Sequence, residues 1–213
     1  MITVKHFTFS PFFENTYVLF DETKNCAIID PGCYEQYEKE ELVNFIENEG
    51  LKPVKLLNTH CHIDHVFGNK FIADKYNLQL EIHELDVPTL KWAESAAQAY
   101  GLDKYEPSPE PSFFFREGDV IELGNSKLEV LHTPGHALGH VVFVCQDQKF
   151  VINGDVLFQG SIGRTDFPGC SHSDLINSIK TKLFLLDDDF VVYTGHGQET
   201  TIGAEKKYNP FLH

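Results

Sequence analysis

The sequence predicts a mixed α/β sandwich, because two kinds of segment alternate along the chain. Short apolar runs rich in Val, Ile and Phe are bounded by Gly, Pro, Asn and Asp, as is typical of strands. Between several of them lie segments with the apolar periodicity of amphipathic helices. With 213 residues, 42% of them hydrophobic, the chain can bury a sizeable core. We therefore expect residues 1–213 to form one domain.

The N-terminal part begins with three predicted strands, ITVKHFTF, TYVLF and CAIID, the last of which runs into the turn sequence DPG. An amphipathic helix follows and is predicted to stop at Gly50. Its apolar stripe consists of Tyr34, Tyr37, Leu42, Phe45 and Ile46. A buried strand, VKLLN, comes next, and a further helix is predicted from about Val66 to Tyr76.

The rest of the chain repeats this alternation. LKWAESAAQAYG is helical in pattern, and the Pro-rich EPSPEP after it is predicted to cross the surface rather than to separate domains. Three strands follow, KLEVLH, HVVFVC and KFVIN. A helix from Ser173 to Leu183 and a last strand, FVVYT, complete the predicted elements.

Charge and cysteine content limit the partners and the compartment. The formal net charge of -15 disfavours nucleic acid and anionic membranes as partners. No apolar run approaches the ~18 residues of a membrane span, and the start, MITVKHFTFS, lacks the layout of a signal peptide. The five cysteines are odd in number and form no CxxC motif, which favours reduced thiols. We expect a cytoplasmic protein.

Four of the apolar runs lead to a side chain that can bind a metal ion. VKLLNTH ends at His60, LEVLHTPGH at His136, FVINGD at Asp155 and FVVYTGH at His196. Sites in α/β folds commonly lie at the carboxyl ends of strands. These four side chains are therefore expected to converge on one edge of the protein.

The stretch NTHCHIDHVFG adds three candidate ligands. Residues two apart in an extended segment point the same way, so His60 and His62 can chelate one ion. Asp64 and His65 lie where the chain is predicted to turn into a helix, and they can face a second ion. Imidazoles and carboxylates without thiolates favour Zn(II), Fe or Mn in an open site that carries water. Cys61 is expected to point away from its histidine neighbours.

HCHIDH matches the HxHxDH signature of the metallo-β-lactamase superfamily, and TPGH, GD and GHG follow in the order that this superfamily uses. GDVLFQGSIGRTDFPG and TIGAEKKYNPFL resemble the short, single-domain bacterial branch of the glyoxalase II-like hydroxyacylglutathione hydrolases. The resemblance covers essentially the whole chain. It implies a four-layer αββα sandwich, in which two mixed β-sheets are flanked by helices. It also implies that the C-terminal helical glutathione-binding domain of the two-domain enzymes is absent.

The resemblance further implies two divalent metal ions, with zinc as the first choice and iron or manganese as alternatives. One ion would be bound by His60, His62 and His136, the other by Asp64, His65 and His196, with Asp155 between them. The implied reaction is hydrolysis of a small thioester such as S-lactoylglutathione, in which a metal-bridging hydroxide attacks the thioester carbonyl. Asp64 is a candidate catalytic residue that would orient the water or shuttle its proton.

Four further residues are candidates for supporting roles. Arg164 has the planar guanidinium that suits a substrate carboxylate, or it forms an ion pair with the nearby Asp166. Asp30, His132 and His140 are candidates for contacts that orient a ligand imidazole, and each has an ordinary structural alternative.

Three alternatives to a thioester hydrolase are open. GRTDF also resembles the persulfide dioxygenases, which are oxidoreductases with a single iron. The same site suits other substrates, such as lactones or other thioesters. A metal-binding module without catalysis is the third alternative. We expect a monomer or a small homo-oligomer.

Overall fold

The computed structural model describes residues 1–212. Its α-helices are α1 Gln36–Asn48, α2 Asn69–Tyr76, α3 Val87–Tyr100, α4 His172–Thr181 and α5 Ile202–Tyr208. Its 3-10 turns lie at Ile63–His65, Glu84–Asp86 and Leu183–Leu185. Its strands are β1 Thr3–Phe9, β2 Glu14–Phe20, β3 Asn25–Ile29, β4 Lys52–Leu57, β5 Leu80–His83, β6 Phe113–Phe115, β7 Val120–Leu123, β8 Ser126–His132, β9 Val141–Cys145, β10 Phe150–Gly154, β11 Leu157–Phe158, β12 Ser161–Ile162, β13 Val191–Thr194 and β14 Thr200–Thr201.

Two six-stranded sheets contain most of these strands. The first sheet has the order β1-β2-β3-β4-β5-β6. Its pairings are antiparallel from β1 to β3 and parallel from β3 to β6. The second sheet has the order β14-β13-β10-β9-β8-β7, and its one parallel pairing joins β10 and β13. Both sheets are therefore mixed.

Each sheet buries both of its faces. Along β2 and β3, Val18 and Ile28 pack towards the helices α1 to α3, whereas Tyr17, Leu19 and Ile29 pack towards the second sheet. This alternation follows from the two-residue period of a strand. The far face of the second sheet packs against α4 and α5. The predicted four-layer αββα sandwich is confirmed.

The helix boundaries follow from local chemistry. At the start of α1 the Glu38 carboxylate accepts a hydrogen bond from the N–H of Glu35 (2.8 Å), as in a capping box. Pro88 lies in the first turn of α3, and Gly101, with a φ of 70°, ends it. The Ser171 hydroxyl caps α4. No helix within residues 1–212 combines the length and the apolarity needed to cross a bilayer.

The predicted strands and helices are present, although some of their ends differ. The helix predicted from Val66 begins at Asn69, because residues 63–65 form a separate 3-10 turn. Strands β5, β6, β7, β11, β12 and β14 are absent from the sequence prediction. Each is only two to four residues long, which is too short for a two-residue period to stand out.

Candidate metal centre

The carboxyl ends of four strands meet at one edge of the sandwich. His60 follows β4, His136 follows β8, Asp155 follows β10 and His196 follows β13. Two groups of candidate ligands form there, each with its ligating atoms within 4.8 Å of one another: His60, His62 and His136, and Asp64, His65 and His196. Six of the seven residues singled out by the sequence are thus brought together.

The Asp155 carboxylate lies between the two groups. Its Oδ2 is 3.5 Å from His136 Nε2 in one group and 3.5 Å from His196 Nε2 in the other. Its Oδ1 is 3.6 Å from His65 Nε2. One carboxylate can therefore contact both ions of a pair, which is the position that the family resemblance implied for it.

Asp30 orients the His65 ring. The Asp30 Oδ2 atom accepts hydrogen bonds from His65 Nδ1 (3.1 Å) and from the Thr59 hydroxyl (2.6 Å), while Oδ1 accepts from the Thr59 N–H (2.7 Å). Asp30 has a φ of 48°, a left-handed conformation that Asp adopts more readily than most residues. Although Asp30 also lies near His60, both of its oxygens are engaged in these bonds. It therefore acts as the acceptor behind His65 rather than as a ligand.

Backbone carbonyls orient two further imidazoles. His136 Nδ1 donates to the Arg164 carbonyl (2.8 Å), and His196 Nδ1 lies 3.1 Å from the Phe12 carbonyl. A hydrogen bond at Nδ1 holds the ring in the tautomer whose Nε2 is free to bind a metal. The Nε2 atoms of both rings accordingly face the centre of the cluster.

Several polar atoms of the cluster are buried without a hydrogen-bond partner. Among the described residues these include His60 Nε2, His65 Nε2 and Asp155 Oδ1. His62 Nδ1 and His136 Nε2 face each other at 2.8 Å. Buried polar atoms are normally paired, and metal ligation is one way to pair them. The donor set and its convergence therefore fit two divalent cations.

The charges at the cluster support the same conclusion. Burial acts to raise the pKa of Asp155, but the imidazoles of His65, His196 and His136 hold it well below its usual range. Burial acts to lower the pKa of His65, yet the carboxylates of Asp155 and Asp64 raise it well above its usual value. The buried carboxylates thus remain ionised only beside positive charge. A divalent cation supplies that charge directly.

Two glycines allow the strand ends to approach the ligands this closely. A Cβ atom at Gly195 would collide with Asp155 Oδ1 and lie 2.9 Å from His65 Cε1. Gly154 has a φ of 50°, and a Cβ atom there would lie 2.8 Å from His140 Nε2. Glycine is therefore required at both positions for steric reasons.

The two histidines that flank the His136 loop have different environments. The His140 ring stacks on His60, with centroids 4.7 Å apart, and its Nε2 accepts a hydrogen bond from the Asp155 N–H (3.1 Å). His140 therefore supports two candidate ligands. His132 instead stacks on His83, with centroids 4.1 Å apart, and its Nε2 lies 2.9 Å from the Leu138 carbonyl, so its ring contacts none of the candidate ligand side chains.

The family model of the metallo-beta-lactamase superfamily matches residues 10–196. The chain belongs to this superfamily. It is 41% identical over 202 residues to the hydroxyacylglutathione hydrolase GloC of Haemophilus influenzae, with 94% of this chain and 93% of the relative covered. The resemblance predicted from HCHIDH and the later motifs is confirmed.

Two solved metallo-β-lactamase-fold structures align with nearly the whole chain. TTHA1623 in a di-iron-bound form has a TM-score of 0.88 and 37% identity, covering 98% of this chain and 100% of that one. The BLEG-1 B3 metallo-β-lactamase has a TM-score of 0.87 and 32% identity, covering 99% of both chains. The protein is thus a metallo-hydrolase of the metallo-β-lactamase superfamily, whose members bind divalent metals.

Arg164 makes structural contacts at this metallo-β-lactamase centre. Its guanidinium forms two hydrogen bonds with Asp166 (2.9 and 3.0 Å) and lies 4.4 Å from the centroid of the Phe167 ring. Its carbonyl accepts from His136, as described above. The residue also borders the cavity beside the cluster, so its predicted role in substrate binding stays a prediction.

Asp86 connects two ligand-bearing loops, and the sequence analysis missed it. Its fully buried carboxylate accepts hydrogen bonds from the Cys61 N–H (2.5 Å), the Gly139 N–H (3.3 Å) and the Thr89 hydroxyl (3.0 Å). Cys61 stands between two candidate ligands and packs into the core with its thiol buried, as expected for a bystander. A lone Asp before a helix resembles an ordinary cap, so only the long-range contacts identify this role.

Proposed function

We propose that this protein is a dinuclear metal-dependent thioester hydrolase of the hydroxyacylglutathione type, with S-lactoylglutathione as its reference substrate. The proposal depends chiefly on one observation: two groups of ligands share Asp155 at the floor of an open cavity of about 420 Å³. Such a volume accommodates a small organic substrate. The 41% identity to a hydroxyacylglutathione hydrolase over nearly the full length supports the thioester class.

The seven candidate ligands would bind two metal ions. His60, His62 and His136 would hold one ion, Asp64, His65 and His196 the other, and Asp155 would contact both. When bound, the ions supply a nucleophile from water at neutral pH and polarise the carbonyl under attack. The departing thiol has a pKa of about 8.5, so it leaves as a thiolate without a strong general acid.

Asp64 is the candidate for handling the water proton. It lines the cavity, and its Oδ2 lies 3.1 Å from His196 Nε2. Burial acts to raise its pKa, but the neighbouring His65 and the hydrogen bond from His196 lower it. A carboxylate of lowered pKa is a weak base. We infer that Asp64 accepts a hydrogen bond from the water and so orients it.

Steady-state hydrolysis of S-lactoylglutathione, combined with elemental analysis of the purified protein, tests the proposal. Zinc-, iron- and manganese-loaded samples should contain about two ions per chain and turn the thioester over. His62→Ala should lower kcat/KM at least a hundredfold, because it removes a ligand of the first ion. His172→Ala, at an exposed histidine of α4, is the matched control and should retain activity.

Turnover no higher than that of His62→Ala would overturn the proposal. About one iron per chain, with oxygen consumption on glutathione persulfide, would replace it with the mononuclear iron oxidoreductase. A second candidate is β-lactam hydrolysis, because the chain aligns over 99% of its length with the BLEG-1 B3 metallo-β-lactamase. A β-lactam therefore belongs in the same substrate panel.

A further inference from the structure

Two neighbouring cavities, here called the main lobe and the side lobe, lie beside the candidate ligands. The main lobe, of about 420 Å³, is bordered by Asp64, Asp155, Ser161 and Arg164. The side lobe, of about 220 Å³, is bordered by Thr89, Ala137 and Leu138 and also by Pro88, His136, Pro168 and Gly169. His62, Trp92 and Phe167 line both lobes. The two lobes are therefore neighbours at the candidate ligands.

The side lobe is apolar. Apart from His62 and His136, the described residues that line it carry no ionisable side chain. Its one side-chain hydroxyl, on Thr89, already donates to Asp86 (3.0 Å). Burying a charged group in such surroundings is costly, whereas burying hydrocarbon is favourable. The lobe therefore suits an uncharged apolar group.

The volume of the side lobe limits the size of that group. An apolar cavity of about 150 Å³ in another protein binds benzene, which has six non-hydrogen atoms, so 220 Å³ accommodates a group of about that size or slightly larger. A lactoyl group extends only two carbons and one hydroxyl beyond its carbonyl carbon, so it would leave most of the lobe unfilled. Roughly six to eight non-hydrogen atoms, as in a medium-length alkyl chain or a benzyl group, would fill it.

The main lobe suits the other half of a thioester. Glutathione carries two carboxylates and an ammonium group, and it is too large and too polar for the side lobe. The main lobe is larger and has the exposed Arg164 guanidinium at its border. A carbonyl beside His62 would therefore direct its acyl group into the side lobe and its thiol portion into the main lobe.

We infer that the side lobe is an acyl subsite for an apolar group of about six to eight non-hydrogen atoms, with Leu138, Trp92 and Phe167 as its specificity-determining walls. The inference rests on the proposed thioester hydrolase function. It deepens that function by favouring apolar acyl groups of this size over the lactoyl group of the reference substrate.

A series of glutathione thioesters tests the acyl subsite. With lactoyl, butanoyl, hexanoyl and octanoyl groups on the same thiol, kcat/KM should rise about fourfold for each methylene buried and level off near octanoyl. Leu138→Trp should fill the lobe and lower the ratio of octanoyl to lactoyl kcat/KM at least tenfold. Leu185→Trp, at an exposed leucine of the 3-10 turn Leu183–Leu185, is the matched control and should leave the ratio unchanged.

Fluorescence gives a second readout that does not depend on turnover. Trp92 is the only tryptophan of the chain and is half exposed, and it borders the side lobe. Titration with octanoate should shift its emission to shorter wavelength in a saturable manner, because the ligand displaces water from the indole. Titration with lactate should produce no such shift over the same concentrations.

The outcomes separate the two proposals. Thioester turnover with equal kcat/KM across the series, or an equal effect of Leu138→Trp on octanoyl and lactoyl substrates, would overturn the acyl subsite alone. No hydrolysis of any thioester would overturn the proposed function. In that case an octanoate titration without a spectral shift would overturn the apolar subsite as well, and a saturable shift would retain it as a binding site.

Discussion

Replacing Asp86 with alanine should weaken both stability and metal binding, because its carboxylate joins the loop of His60 and His62 to the loop of His136. The substitution leaves two buried backbone donors, the N–H groups of Cys61 and Gly139, without their acceptor. Each such loss costs about 1–3 kcal/mol, so the pair accounts for about 2–6 kcal/mol.

Part of this loss is offset by removal of the buried carboxylate itself. Burial raises the pKa of Asp86, although hydrogen bonds from Thr89, Cys61 and Gly139 oppose the rise. We therefore expect a net loss of about 2–4 kcal/mol in the free energy of unfolding, out of the ~5–15 kcal/mol typical of a domain. The unfolding temperature should fall by roughly 2–4 °C for each kcal/mol lost. Metal affinity should fall about 10–100-fold, as for other groups that orient ligands.

Asp21→Ala is the matched control for this experiment. Asp21 is also buried and accepts hydrogen bonds from the N–H groups of Thr23 (2.9 Å) and Asn125 (2.7 Å). Asp21 directly follows the C-terminal end of β2. Glu14, at the other end of this strand, lies near the cluster, so Asp21 is about 20 Å from the cluster along the strand. Thermal unfolding and competition with a chelator measure the two effects. If Asp86→Ala lost stability as Asp21→Ala did but kept its metal affinity, the proposed link between the loops would be refuted.

Three further predictions concern metal, pH and thiol reactivity. Removing bound metal with a chelator should lower the unfolding temperature by roughly 10 °C, because a ligand present at a thousand times its Kd contributes ~4 kcal/mol; an unchanged temperature would contradict the metal assignment. Burial and the neighbouring His132 lower the pKa of His83 to about 4, so its contribution to stability is complete above pH ~6.5 and is lost as the pH falls towards 4. The free energy of unfolding, measured by chemical denaturation, should fall between pH 6.5 and 4, and this fall should be about 1 kcal/mol smaller in His83→Gln. The figure is reduced because the ring is half exposed. An equal fall in both proteins would contradict this prediction. Cys170 is the only half-exposed cysteine among the described residues and the others are buried, with the pKa of the Cys61 thiol raised well above its usual value by burial. An aromatic disulfide reagent should therefore modify about one thiol in the native chain and five after unfolding, and modification of Cys61 in the native chain, detected by mass spectrometry, would contradict the structure.

Much of the fold and nearly all of the candidate ligand set could be predicted from the sequence. His60, His136, Asp155 and His196 each follow an apolar run, and strand order places the ends of such runs together. The strands β5, β6 and β7 were not predictable in this way. They are short, and their pairing partners rather than their own residues define them.

The supporting residues required the tertiary structure. Sequence alone could not separate His140, which stacks on a candidate ligand, from His132, which stacks on His83. Sequence alone did not decide whether Arg164 binds a substrate or pairs with Asp166, and it did not identify Asp86.

The sequence by itself determined the chemistry of this protein, since ligand types and their spacing along the chain are local properties. Only the tertiary structure decided which groups orient the ligands and where the two lobes lie. Those features depend on residues far apart in the chain, such as Asp86, which accepts a hydrogen bond from Gly139, and Trp92 and Phe167, which line the same two lobes. Packing of the two sheets and their helices brings these residues together, and no local pattern encodes it.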